Sequence, residues 1–160
     1  MKYYKFPIRV NHIITLLFIF ILISSCQQKH THKEVIEPVS IIGTWKLLTG
    51  TIIEGKDTTI TNYTINQEVM KIINSTHFAF LRHDLNKDSI PIFVSGGGRC
   101  EIEKKKYTEH LDFCNFREWE NNTFDFEFEI IGDTLITKGI ERVESLKINR
   151  FNIEKYVRLK

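Results

Sequence analysis

Residues 124–130 alternate apolar and acidic side chains without a break, and this alternation limits the possible folds more than any other feature of the chain. The apolar positions are Phe124, Phe126, Phe128 and Ile130, and the acidic ones are Asp125, Glu127 and Glu129. Successive side chains of a β-strand point to opposite faces, so the pattern predicts a strand with one apolar and one hydrated face. A helix would spread the same carboxylates over most of its surface.

The same two-residue period recurs along most of residues 41–160. It predicts that Phe78 and Phe80 share one face, and that Tyr107, Leu111 and Phe113 share another. Turn residues such as Gly55, Asn121 and Gly132 separate the runs at short intervals, and no convincing helical stripe interrupts them. The sequence therefore predicts an all-β fold, a single antiparallel up-and-down β-barrel of about 8–10 strands, because closure removes exposed sheet edges.

The first 25 residues have a different character. Lys2, Lys5 and Arg9 precede the apolar run Ile13–Ile23, which is shorter than the roughly 20 residues that a membrane-spanning helix needs. With Ser24-Ser25-Cys26 behind it, the segment resembles a bacterial lipoprotein signal. The resemblance implies that residues 1–25 are a signal peptide and that Cys26 is acylated with palmitate-type chains. The alternative is an uncleaved N-terminal anchor helix.

The lipoprotein interpretation implies a location in the cell envelope. The domain would be attached through Cys26 to a membrane, with the outer membrane expected, on its periplasmic or surface face. Residues 26–40 are mostly polar and are interpreted as the lipidated cysteine and a flexible linker. Without the signal, 19 of the 22 basic side chains remain against 20 acidic ones. No basic stripe is visible, so we expect no nucleic-acid partner.

Residues 41–160 also resemble small lipocalin-like lipoproteins of Bacteroidetes-type bacteria. The resemblance rests on these motifs: Gly43-Thr-Trp45, His77-Phe-Ala-Phe80, Gly96-Gly-Gly-Arg99, Tyr107-Thr-Glu109, Gly132-Asp-Thr-Leu135 and the closing Tyr156-Val-Arg158. It implies a lipocalin-like barrel in which a basic side chain of the last strand covers a tryptophan of the first. Cys100 departs from the pattern, which usually has a bulky aromatic residue at that position.

Trp45 and Arg158 can meet, because the first and last strands of a closed barrel are neighbours. A guanidinium over an indole gains roughly 0.5–2 kcal/mol and would cover the end of the barrel. Strict alternation would turn Val157 inward, whereas the resemblance implies that Tyr156 and Arg158 point inward. We favour the second orientation. The alternative is a surface arginine beside a core tryptophan.

Two charged residues fall on faces that otherwise look apolar. Glu109 lies between Tyr107 and Leu111, and Arg82 follows Phe78 and Phe80 in phase. A buried carboxylate is costly unless it is paired. We expect either a structural ion pair or a ligand-orienting polar centre made by Glu109 with Arg82, Arg99 or Arg158. The candidate ligand-binding residues are Trp45, Arg82, Tyr107, Glu109 and Arg158.

Cys100 and Cys114 are interpreted as free thiols. If the hairpin turns around Lys105-Lys106, Cys100 lies opposite Leu111 and Cys114 points to the other face. Their Cα separation would then be about 10 Å, too far for a disulfide.

The leading functional hypothesis is a small, partly apolar ligand bound inside the barrel. The alternative is a filled barrel that acts as an interaction or structural module of the envelope, without ligand. The sequence contains no recognisable catalytic or metal-binding set, so we expect neither an enzyme nor a cofactor. A cavity of roughly 300 Å³ or more, lined by phenylalanine and open at one rim, would favour ligand binding.

Overall fold

The computed structural model describes residues 40–87 and 90–160. The predictions for residues 1–39, including the signal peptide, the acylation of Cys26 and the linker, lie outside these described residues. The strands of the described residues are β1 (Gly43–Glu54), β2 (Asp57–Asn62), β3 (Gln67–Ile73), β4 (His77–Asp84), β5 (Phe93–Glu103), β6 (Lys106–Cys114), β7 (Asn122–Ile131), β8 (Thr134–Val143) and β9 (Ile148–Arg158). Two 3-10 turns, Arg117–Trp119 and Glu144–Leu146, follow β6 and β8.

Eight of the strands form a closed antiparallel barrel, which confirms the predicted fold. Strands β3 to β9 pair in chain order, and β9 pairs with β1 to close the ring. The first part of β1 pairs with β3 over Gly43–Lys46. Its second part leaves β3 and pairs with β2 across a two-residue turn at Gly55-Lys56, so β2 is an extra strand beside the barrel.

Strand β7 has the predicted orientation. Phe124 and Phe126 are buried in the barrel, and the three intervening carboxylates are exposed. On the neighbouring strand, Leu135, Thr137 and Gly139 share the inward face. The barrel wall is therefore one sheet with a buried inner face and, along β7, a hydrated outer face.

The position of the turn between β5 and β6, at Lys104-Lys105, and a β-bulge further along these strands each overturn one prediction about the cysteine hairpin. Glu103 pairs with Lys106, so Cys100 lies opposite Glu109 and not Leu111. Further along, Gly97 pairs with Phe113 and Gly98 pairs with Leu111, which leaves Asp112 as an extra residue. The extra residue turns Phe113 outward, where it is 72% exposed, and turns Cys114 inward.

The triple glycine makes the bulge possible. A Cβ atom on Gly98 would lie only 2.0 Å from the carbonyl oxygen of His110, so no side chain fits there. The glycines thus allow a bulge and a close approach of two backbones. Both cysteines are buried free thiols in the described structure.

The two ends of the barrel differ. The end at the start of β1 is filled by large buried side chains: Ile41, Trp45, Leu47, Ile73, Phe78, Tyr107, Leu135 and Tyr156. Large apolar side chains at the opposite end, such as Phe116 and Phe93, are exposed. Among the described residues, no helix has the length and apolar character needed to cross a membrane.

Candidate functional site

A cavity of about 330 Å³ occupies the half of the barrel that lies away from Trp45. Its apolar lining consists of Val69, Phe80, Val94, Leu111, Cys114, Phe116, Trp119, Phe124, Phe126 and Tyr156. Its charged lining consists of Lys71, Arg82, Glu109, Glu141, Arg150 and Glu154. Phe116, in the loop after β6, is 50% exposed and lies at the mouth. The interior is thus a mixed surface with phenylalanine walls and six ionisable groups.

The floor of the cavity is an ion cluster around Lys71. The ammonium of Lys71 on β3 lies 2.7 Å from Glu109 on β6 and 3.7 Å from Glu154 on β9. The side chains of Lys71 and Glu109 are each only 8% exposed, so the pair is shielded from water. Glu154 in turn accepts a hydrogen bond from the hydroxyl of Tyr156. The barrel therefore has a charged layer at mid-height, above the apolar layer at the Trp45 end.

This cluster partly corrects the predicted polar centre. Glu109 is buried and paired, as the sequence indicated, but its partner is Lys71 and none of the three proposed arginines. Arg99 lies on the outer wall, where its guanidinium pairs with Asp112 at 3.1 Å. Arg158 lies at the Trp45 end of the barrel.

Burial and charge shift the pKa values of the floor in defined directions. Burial alone would lower the pKa of Lys71, but the Glu109 and Glu154 carboxylates outweigh it and raise that pKa well above its ordinary value. Burial raises the pKa of Glu109, and the Lys71 ammonium opposes this shift. Burial, with the Glu154 charge, also raises the pKa of Tyr156. Lys71 therefore stays protonated, while Tyr156 stays neutral and donates.

A second ion pair lies higher on the wall, between neighbouring strands. Glu141 on β8 pairs with Arg150 on β9 at 2.7 Å and accepts a further hydrogen bond from Asn152 at 2.8 Å. The guanidinium of Arg150 also lies 5.3 Å from the ring centre of Trp119. Trp119 packs against Phe124, with 6.1 Å between ring centres. These contacts fix one side of the cavity mouth.

Among the described residues, Arg82 is the cavity cation without an ionic partner. No carboxylate in residues 40–87 or 90–160 lies within 4.0 Å of its guanidinium, since Arg82 takes part in none of the ion pairs. Its guanidinium lies 5.7 Å from the ring centre of Tyr63, a half-buried residue that follows β2. Within the described part of the chain, Arg82 thus lines the cavity with an aromatic ring beside its guanidinium and no paired carboxylate.

Trp45 and Arg158 meet as predicted, but at the closed end and outside the cavity. The guanidinium lies 4.0 Å from the centre of the Trp45 ring, and it donates to the carbonyl oxygens of Ile42 and Ser40. The indole nitrogen of Trp45 donates to the carbonyl of Ile41 at 2.8 Å. The predicted inward orientation of β9 is also confirmed, since Tyr156 is buried.

Tyr107 also lies in the packed end and does not line the cavity. Its ring packs against Phe78 and Phe126, with ring centres 6.5 and 6.4 Å away. Its hydroxyl is buried near Glu109, and burial together with the Glu109 charge raises the pKa of Tyr107. Of the five predicted ligand-binding residues, only Arg82 and Glu109 lie at the cavity.

Sequence reasoning missed four of the six charged groups: Lys71, Glu141, Arg150 and Glu154. The signal for Lys71 was present, because it lies in phase between Val69 and Ile73, as Glu109 does between Tyr107 and Leu111. The residues of β8 and β9 gave no such signal, since polar and apolar residues mix on both faces. No group of three or more potential metal ligands occurs within the described part of the chain.

No protein-family model matches the chain, and no curated protein matches it.

Proposed function

We propose that this protein is a membrane-anchored lipoprotein that binds a small, partly apolar ligand inside its barrel. The observation that carries the proposal is the cavity of about 330 Å³ in one half of the barrel, lined by phenylalanines and reaching the surface beside Phe116. Binding pockets are concave and mostly apolar, with a few convergent polar groups, and this cavity has that composition.

The charged groups of the floor support a binding role. A buried ion pair contributes little to stability compared with apolar packing of the same volume. A barrel packed with apolar side chains would therefore be more stable than one that keeps an open space lined by ion pairs. Lys71, Glu109 and Glu154 leave oxygen and nitrogen atoms beside a space that an apolar core would occupy. A ligand that enters this space can bury its apolar part against the walls.

The alternative, an envelope interaction module with a filled barrel, requires a solid interior. The half that contains Trp45 fits this description, but the half that contains Phe124 does not. The cavity therefore favours ligand binding over the alternative. The expectation that the protein is not an enzyme stays a prediction.

Native mass spectrometry of the protein purified from its own envelope tests the binding proposal. We expect a co-purifying small molecule on the wild-type protein. Val94→Trp should displace it, because Val94 lines the cavity. Ile140→Trp is the matched control, since the Ile140 side chain is 56% exposed. Its neighbour Gly139, which pairs with the buried Phe126 and Asn152, faces the interior instead. Repeated absence of any bound molecule from the wild-type protein would contradict the proposal.

The anchor proposal has a separate test. The mature protein should begin at Cys26, carry acyl chains that intact-mass measurement detects, and partition into the detergent phase of Triton X-114. Cys26→Ser should carry no acyl chains in the same intact-mass measurement, because serine lacks the thiol that is acylated. An unprocessed wild-type chain that begins at Met1 would support the alternative anchor helix.

A further inference from the structure

We propose that the ligand is a single-chain amphiphile with one oxyanion headgroup, and that this headgroup binds Arg82 near the cavity mouth while the apolar chain points toward the floor. The inference rests on the proposed function and adds the charge and the orientation of the ligand. Four observations carry it: the pairing of the cavity charges, the height of Arg82 in the barrel, the charge of the floor and the size of the space.

The cavity charges are paired unequally. Three basic and three acidic side chains line the space, so their formal charges cancel. Lys71 nevertheless has two carboxylates within 4.0 Å, and Arg150 has one. Arg82 has none among the described residues, and only the ring of Tyr63 faces its guanidinium. The cavity therefore has one site where an added negative charge would gain a new partner.

Arg82 lies near the mouth of the cavity. Along β4 the inward side chains run from Phe78 in the packed end, through Phe80, to Arg82. Arg82 pairs with Val69 on β3 and with Val94 on β5, both of which are cavity residues. Lys71 lies one inward position deeper than Val69. An anion on Arg82 would thus keep one side near water, as a charged headgroup requires.

The floor disfavours a ligand that enters with its anionic end first. Glu109 and Glu154 surround a single ammonium, so the floor carries an excess of carboxylates over cations. A further anion there would meet like charges in a shielded site. An apolar chain avoids this repulsion and contacts Phe80, Phe124 and Phe126 on the way down.

The space limits the size of the ligand. At about 30 Å³ for each water-sized group, the 330 Å³ cavity holds about eleven non-hydrogen atoms. An eight-carbon chain with a small headgroup has this size, whereas a two-chain phospholipid is several times larger. A guanidinium presents a planar fork of donors that matches carboxylate or ester-linked oxyanions.

Isothermal titration calorimetry with octanoate, octyl sulfate, 1-octanol and octylamine tests the inference on the full-length mature protein. At neutral pH we expect at least one of the two anions to bind about tenfold more tightly than octanol, because a charge-assisted pair near the surface contributes about 1.4 kcal/mol. Octylamine should bind no more tightly than octanol. The tighter anion identifies the geometry of the headgroup.

Arg82→Leu should remove the preference for the anion and leave the affinity for octanol nearly unchanged. Arg142→Leu is the matched control, because Arg142 is exposed on the outer wall and should leave every affinity as in the wild type. If Arg82→Leu does not fold, the salt dependence of the wild-type protein gives the same information. Added salt should weaken binding of the anion and not of octanol.

The outcomes separate the two proposals. Equal affinities of the wild-type protein for octanol and both anions would overturn the role of Arg82 and leave the binding function intact. An anion preference that survives Arg82→Leu would also overturn it. Failure of all four probes to bind, together with no co-purifying molecule, would instead count against the binding function itself.

Discussion

The two halves of this barrel are built by the same strands but have opposite interiors. In the half that contains Trp45, large apolar side chains meet and fill the space. In the half that contains Phe124, the walls are apolar but a cavity of about 330 Å³ remains. An eight-stranded barrel can either fill with side chains or keep room for one small ligand, and here one half is filled while the other half keeps an open space.

The boundary between the halves is a layer of charge. On β3 the inward residues are Ile73, then Lys71, then Val69, and on β6 they are Tyr107, then Glu109, then Leu111. A charged residue therefore replaces an apolar one at the same height on both strands. The packed core therefore ends where charged residues enter the inward rows of β3 and β6, while the strands themselves continue unchanged.

The largest contrast is expected between the two tryptophans. Trp45→Ala should lower the free energy of unfolding by about 3–5 kcal/mol, because it opens a void in a packed, fully buried site. Trp119→Ala at the cavity mouth should cost about 1–2 kcal/mol, since its ring is half-buried and the space beside it is already open. Urea unfolding of the two variants measures the difference. Equal losses of unfolding free energy in the two variants would contradict the difference in packing between the two halves.

The charged boundary is the next target. Lys71→Met should lower the free energy of unfolding by about 3 kcal/mol, because it leaves the Glu109 carboxylate buried without its partner. Lys71→Met combined with Glu109→Met should recover at least half of this loss, since both charges are then removed. Denaturant unfolding of the single and double variants measures both effects. A double variant as unstable as the single one would indicate that the layer is needed for folding itself.

The same boundary predicts how stability responds to alkali. The pKa of Lys71 is higher in the folded state than its ordinary value of 10.5, so its contribution is complete below that pH and is lost as the pH rises through the folded pKa. Tyr107 and Tyr156, whose pKa values are also raised, act in the same direction. In Lys71→Met the fall in stability above about pH 10 should be shallower by about 1.4 kcal/mol per pH unit.

Unfolding curves at several pH values measure this slope. Lys56→Met is the control, because Lys56 is exposed in the turn after β1. An identical alkaline slope in the wild-type protein and in Lys71→Met would show that Lys71 gains nothing from its two carboxylates.

The two buried cysteines allow one substitution to be compared in both halves. Cys100→Leu should cost about 1–3 kcal/mol, because Cys100 is buried and does not line the cavity, so added atoms must displace neighbours. Cys114→Leu should change stability by less than about 0.5 kcal/mol, since Cys114 lines the cavity and the added atoms enter open space. Thermal unfolding and octanoate titration together check this. A larger loss for Cys114→Leu would mean that the cavity wall is as rigidly packed as the core.

The last comparison concerns the arginine that covers Trp45 at the closed end. Arg158→Leu should cost about 1–2 kcal/mol, because it removes the guanidinium from the indole face. It should not change ligand affinity, since Arg158 lies outside the cavity. Arg142→Leu serves as the exposed control. A clear change in ligand affinity in Arg158→Leu would show that the packed end of the barrel influences binding in the cavity.

Sequence reasoning reached the barrel and its closed end because both depend on local patterns. The alternation of β7 identifies the inward face directly, and Trp45 and Arg158 meet because the first and last strands of a barrel are neighbours. The partner of Glu109 was missed, since β3 and β6 are not adjacent and only the closed barrel brings Lys71 across it. The orientation of Cys114 was missed because one extra residue, Asp112, shifts the phase of β6, and nothing in the local pattern fixes the position of that shift.

The contact of Arg158 with Ser40 has a consequence for handling the protein. It places the point where the chain enters the barrel at the pole opposite the cavity mouth. A sensor surface, a resin or a fluorescent protein joined to the chain at residue 40 is therefore attached at the closed end of the barrel, whereas a label on the loop at Phe116 would lie at the cavity mouth.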